Sequence, residues 1–226
     1  MSFDFISGER ILIDKELKWT SFDVVNKIRS SIKKKLNIKK IKVGHAGTLD
    51  PLASGLLIVC TGKMTKKIDN FSNLSKTYYG KITLGSTTPS YDLETKPNMY
   101  YPIKHIDKNI ILETAKKFEG KIFQKPPIFS AIKRDGVRLY KIARKGKDVK
   151  VEKREITVNS FTIKDIKFPE IEFIIRCSKG TYIRSLAHDF GKKMNSGAHL
   201  SELRRTSIGD FLVKDALKIT DFLRTF

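Results

Sequence analysis

The sequence predicts an α+β fold in which helices are interleaved over a largely antiparallel sheet. Two observations predict it. Apolar residues alternate at Tyr78, Gly80, Ile82 and Leu84 and again at Ile171, Phe173, Ile175 and Cys177, the period of half-buried strands. Other segments carry helical spacing, and the helices and strands interleave with no regular βαβ rhythm, which suggests a largely antiparallel sheet. At 226 residues the chain buries enough surface to fold without disulfide or metal staples.

The elements follow in order. Residues 11–13 read as a short strand. Thr20 and Ser21 offer an N-cap to a helix with Val24, Val25, Ile28, Ile32 and Leu36 on one face. Lys33, Lys34 and Lys35 suit the negative end of that helix. The alternating strand 78–84 is followed by 87–102, which holds Pro89, Pro97 and Pro102 and is the nearest thing to a linker. Residues 112–118 and 183–194 read as helices, and 156–163 and 171–177 as strands. No internal repeat or low-complexity tract stands out.

Charge narrows the function. Lys and Arg number 45 against 24 Asp and Glu, a net +21, which implies a polyanionic partner. Residues 121–154 hold twelve Lys/Arg against the three acids Asp135, Asp148 and Glu152, nine of the net positive charges in a short stretch. Phe123, Phe129, Leu139 and Tyr140 are interleaved with them. Pro126, Pro127, Gly136 and Gly146 break the stretch into pieces too short for a membrane-surface helix, so an RNA-gripping insertion is expected. Its Lys133, Arg138 and Arg144, with Arg205 outside it, are candidate RNA-backbone contacts. No apolar run approaches the roughly 18–20 residues that span a bilayer, and Asp4 and Glu9 do not suit a secretory signal, so a cytoplasmic location is expected. Cys60 and Cys177 make no disulfide framework, and His45, His105, His188 and His199 show no zinc-ligand spacing with them, so no structural metal site is expected.

The densest unusual stretch is Gly44-His45-Ala46-Gly47-Thr48-Leu49-Asp50-Pro51-Leu52-Ala53-Ser54-Gly55-Leu56-Leu57. Three glycines and a proline around one aspartate describe a tightly turned loop that leads into an apolar strand and presents Asp50. It has no Walker pattern and no paired carboxylates of a two-metal nuclease. A lone carboxylate on a shaped loop of a basic protein points to covalent or electrostatic chemistry on a nucleotide. Taken alone, the stretch also reads as a plain turn with Asp50 capping its own backbone.

This stretch resembles the catalytic loop of the TruB family of pseudouridine synthases, which isomerise uridine in the T-loop of tRNA. Further motifs follow the family's order over residues 10–212: Asp14-Lys15 and Thr20-Ser21, Lys76-Thr77-Tyr78, Tyr91-Asp92-Leu93-Glu94, the segment 126–146, Cys177-Ser178-Lys179-Gly180-Thr181-Tyr182-Ile183-Arg184 and Leu203-Arg204-Arg205-Thr206. The resemblance implies the pseudouridine synthase fold: α+β, with a mixed, mainly antiparallel central sheet flanked by helices and a basic insertion. It also implies one catalytic domain over 1–226, and the short stretch after 209–211 leaves no room for the C-terminal RNA-binding domain of many members.

By the same resemblance Asp50 is the catalytic carboxylate, either adding to the sugar or abstracting a proton to give a glycal. Arg184 orients it, with Asp92 as the acid that supports Arg184. Tyr78 stacks on the flipped uracil, Tyr182 lines the same pocket and Leu203 forms an apolar wall against the base. His45 fills the space that the base vacates, and Lys66 contacts phosphate. The partner implied is the tRNA T-arm, bound by a monomer that needs no protein partner, and a tRNA-folding chaperone role is compatible with it. Two departures bear on geometry: Pro89 and Ser90 replace an acidic-threonine pair, and Glu16 and Lys18 stand where Pro and Gly are usual. The guide-RNA-dependent, dyskerin-like branch is the alternative enzyme reading, and a non-catalytic RNA chaperone the alternative outside enzymes.

Overall fold

In the computed structural model, which describes residues 3–130, 132–134, 136–143 and 151–225, the chain forms two units. One holds the residues up to 79 and those from 203 on; the other is Gly80–Glu202.

The first unit opens with β1 (Arg10–Lys15), whose alternating burial matches the short strand expected there and extends it. Helix α1 (Ser21–Lys35) begins at the expected cap: Thr20 accepts from the Asp23 amide while Asp23 returns a bond to the Thr20 amide, a capping box. Its buried face, Val24, Val25, Ile28 and Ile32, packs with Ile13, Leu57, Val59 and Phe222. Strand β2 (Val43–His45) lies antiparallel to the end of β3 (Ala53–Thr61), which is buried almost throughout. A 3-10 helix (Gly62–Lys67) and α2 (Ile68–Asn73) lead to β4 (Lys76–Leu84), where the chain enters the second unit. Lys76, Tyr78, Gly80, Ile82 and Leu84 form its buried face, as the alternation predicts.

In the second unit, β5 (Ser86–Thr87) pairs with β6 (Met99–Tyr100), so the proline-containing segment 87–102 is a returning excursion and not a linker. Asp107 caps α3 (Lys108–Lys117), which starts earlier than its apolar spacing indicates. Strand β7 (Gly120–Gln124) takes the first residues of the basic segment into the sheet. The short β8 (Lys133–Arg134), β9 (Val137–Arg138) and α4 (Leu139–Ala143) follow. Long antiparallel strands β10 (Arg154–Lys167) and β11 (Glu170–Cys177) form the body of the unit, with β7 on the other side of β10. Phe118, Phe161, Phe173 and Phe190 pack edge-on or tilted beneath them. Helix α5 (Ile183–Lys193) is buried along most of its length.

Strand β12 (Ala198–Ile208) returns the chain to the first unit, where Leu203, Arg204 and Arg205 run parallel to Ala53, Ser54 and Gly55. There β13 (Phe211–Leu212) folds back on β12, β14 (Leu217–Lys218) joins β1 in parallel and α6 (Ile219–Arg224) ends the described chain. The architecture is the expected α+β class: β1–β3, β2–β3, β7–β10, β10–β11 and β12–β13 are antiparallel, β1–β14 and β3–β12 parallel, with helices flanking the strands.

Candidate active site

In the first unit, half-buried Asp50 stands on the loop between β2 and β3, and neighbouring segments hold that loop and the start of β3 by hydrogen bonds. The Ser21 hydroxyl, in the first turn of α1, accepts from the Leu49 amide at 2.8 Å and donates to the Leu49 carbonyl at 3.1 Å. The Lys18 amide donates to the Pro51 carbonyl at 2.7 Å. Arg205 donates through Nε to the Leu56 carbonyl at 2.8 Å, and through its terminal nitrogens to Gly47 at 3.0 Å and, more weakly, Thr48 at 3.5 Å. Lys18 has φ +68°, the left-handed conformation that a glycine adopts freely. Gly55 (φ +104°) admits no side chain, because a Cβ there would strike the Arg205 backbone carbonyl.

Two buried cations lie under this loop. Lys15 is 1 % exposed and donates to the Glu16 carbonyl at 2.9 Å and the Trp19 carbonyl at 2.6 Å. Burial pushes its amine down to about 8; the Asp50 charge opposes that shift and Arg205 adds to it. Arg205 is 1 % exposed with its donors turned onto loop carbonyls, which corrects the expectation that it contacts RNA phosphate. His45 ends β2 opposite Val59. Burial, and then Arg205, hold its imidazole below the usual value against a backbone hydrogen bond with Gly47, so it is neutral at physiological pH. Tyr78 and Leu203 are buried in β4 and β12 of the same unit.

In the second unit, Arg184 and Asp92 are both buried, with Nε 3.6 Å from Oδ2. The other Arg184 nitrogens donate to the Ser90 carbonyl at 3.2 Å and the Phe129 carbonyl at 3.0 Å. Tyr182 precedes α5 and is clasped through its backbone: buried Gln124 accepts from its amide at 2.8 Å and donates to its carbonyl at 3.0 Å. Ser185 donates to the Lys125 carbonyl at 2.9 Å, so the start of the basic segment is stitched to the first turn of α5.

Lys66 is exposed on the 3-10 helix, where with Lys40, Lys42 and Lys63 it borders a depression of about 360 Å³ floored by Ile38 and Ile41. Arg138 is exposed on β9. Lys133 is on β8, and Arg144 lies outside the described residues. Among the described residues, no group of three or more His, Cys, Asp or Glu is placed to hold a metal ion, and no helix is long and apolar enough to cross a membrane. Sequence reasoning missed Ser21, Gln124 and the inward role of Arg205. Ser21 was legible only as a cap neighbour, and no local pattern marks the other two.

The model of the TruB family pseudouridylate synthase N-terminal domain matches residues 33–183. A second, of the tRNA pseudouridylate synthase B C-terminal domain, matches 184–226. The tRNA pseudouridine synthase B of Flavobacterium johnsoniae is 56 % identical over 220 residues, 97 % of this chain and 96 % of the relative. That of Phocaeicola vulgatus is 50 % identical over 219 residues, 97 % and 93 % of the two chains. Among solved structures, a chain of a Cbf5–Nop10–Gar1 complex superposes with a TM-score of 0.70 at 30 % identity over 97 % of this chain. This chain spans 54 % of that one. The two family models together span residues 33–226 and the two bacterial relatives match nearly end to end: the chain belongs to the TruB family of pseudouridine synthases.

Proposed function

We propose that the chain is a stand-alone tRNA pseudouridine synthase that isomerises the T-loop uridine with Asp50 as its catalytic carboxylate. The observation that carries this reading is the loop held at Gly47, Leu49 and Pro51, with Leu56 held in the strand that follows, which presents one carboxylate on a backbone restrained on both sides of it. The reaction breaks N1–C1′, turns the uracil and forms C5–C1′; C5 loses a proton and N1 gains one, so nothing is added or oxidised. Asp50 serves it by adding to C1′ or by removing a sugar proton, and either route rewards fixed placement of a carboxylate. By the family resemblance, Arg184 with its supporting Asp92 serves the carboxylate chemistry, and Tyr78, Tyr182 and Leu203 serve recognition of the base. Extruding the uridine costs a few kcal/mol, and neutral His45, as an aromatic plug in the vacated stack, offsets part of it. The lysines beside Lys66, with Arg138, Lys133 and Arg144, grip the T-arm backbone in a salt-sensitive, sequence-blind way. Higher identity to the tRNA enzymes over their whole length than to Cbf5 over half of its length favours free tRNA over a guide-directed target.

The test is to incubate the purified protein, as a monomer without partners, with unmodified tRNA transcript in EDTA and map pseudouridine, with Asp50→Asn in parallel. T-loop conversion by the wild type alone is expected. A wild type that binds the transcript and modifies nothing overturns the reading in favour of a chaperone or a guide-dependent enzyme.

A further inference from the structure

Helix α5 makes a second grip on the Asp92 segment, one turn beyond Arg184. Residues 184 and 188 are four apart and share a helix face. Arg184 holds the Ser90 carbonyl at 3.2 Å and faces the Asp92 carboxylate at 3.6 Å. Between these two residues, the Tyr91 ring stacks on His188 with centroids 3.9 Å apart and planes inclined by 13°. Three consecutive residues, 90, 91 and 92, are thus engaged by one face of α5.

Tyr91 has φ +65°, a conformation that a bulky residue adopts only under constraint and that a glycine would adopt freely. Its amide donates to the Thr88 carbonyl at 3.1 Å and its carbonyl accepts from Leu200 at 2.9 Å, so the turn is fixed on both sides. What a tyrosine adds over glycine is the ring, and the ring meets His188. His188 is 8 % exposed and its Nδ1 has no hydrogen-bond partner, so the imidazole is kept for its shape and face. Burial, helped by Lys192, pushes it down to about 4, which makes it a neutral stacking partner at physiological pH.

We propose that the Tyr91–His188 stack is a positioning device that holds the turn carrying Asp92 in register with Arg184. The inference rests on the reading that Arg184 and Asp92 serve uridine isomerisation. His188 touches no reacting atom; it acts through the arginine–aspartate pair.

The experiment measures single-turnover pseudouridine formation on tRNA transcript, tRNA affinity by filter binding and thermal unfolding. The variants are H188A, H188F, D92N and D92N/H188A. H188A is expected to slow the single-turnover rate about tenfold with affinity within about twofold of wild type. H188F, which restores a flat ring and deletes the unpartnered nitrogen, should recover the rate to within about threefold and unfold no earlier than wild type. Because the pair acts through Asp92, H188A should add less than about twofold to the D92N defect. Wild-type rate in H188A overturns the proposal, as does a full tenfold loss on the D92N background. Equal impairment of H188F and H188A with parallel loss of folding also overturns it, since His188 would then be ordinary packing. An active wild type with an indifferent H188A sinks only the role of the pair, whereas a wild type that makes no pseudouridine sinks the functional reading beneath it.

Discussion

Arg205 gives the sharpest test of how the Asp50 loop is held. Arg205→Met removes two short charge-assisted bonds, to Leu56 at 2.8 Å and Gly47 at 3.0 Å, and leaves both carbonyls without that donor. At about 1.5–3 kcal/mol for each bond to a charged group, the gross loss is about 3–6 kcal/mol. Relief of the buried guanidinium's desolvation offsets part of it, leaving a net destabilisation of about 2–4 kcal/mol in urea unfolding. Arg205→Lys keeps the charge without the fork, so its single ammonium cannot satisfy both carbonyls and about 1–3 kcal/mol is lost. Since a misplacement of about 1 Å costs about 100-fold in rate, pseudouridine formation should fall about 10–100-fold in the folded lysine variant. Its tRNA affinity should keep the wild-type salt dependence, because a buried side chain neutralises no phosphate. Loss of a true phosphate contact would instead flatten the slope of log affinity against log salt by about 0.7–0.9. A lysine variant with wild-type stability and rate would refute the clamp, and a flattened slope would return Arg205 to the RNA surface.

Lys15, pushed down to about 8 by burial from 10.5, binds its proton more weakly in the folded than in the unfolded chain. Wild-type stability minus that of Lys15→Met should therefore rise with pH between about 8 and 10.5, by about 3 kcal/mol at most, and a flat difference would contradict the burial. His188, at about 4, is likewise depressed, so between pH 6.5 and 4 the unfolded chain holds the extra proton and stability is lost as pH falls. Relative to His188→Phe, the wild type should lose up to about 3 kcal/mol over that window in urea titrations. Lys18 occupies φ +68°, so Lys18→Gly should raise the unfolding free energy measured in urea by about 1 kcal/mol or less, and Lys18→Val should lower it.

Much of the fold was legible because burial imposes a period on the chain. Strand β4 alternates from Lys76 to Leu84, β11 from Glu170 to Cys177, and α1 starts where Thr20 can cap it. Strand β12 was not legible as a strand. Its Glu202, Arg204 and Arg205 break the apolar pattern, and Arg205 is nonetheless buried because its charge is met by carbonyls from the loop 47–56. The proline-containing stretch 87–102 looked like a linker because its backbone signals are local, whereas its closure depends on β5 meeting β6.

The same division runs through the site. The order and spacing of its motifs sufficed to identify the family and to single out Asp50, because a short loop of glycines, proline and one carboxylate is written in consecutive residues. Which side chains hold that loop was decided only in three dimensions. Ser21 reaches Leu49 across 28 positions, Arg205 reaches Gly47 across 158, and Gln124 clasps Tyr182 across 58. Such bonds leave no period and no neighbouring signature in a sequence, since a hydrogen bond registers distance in space while a motif registers distance along the chain.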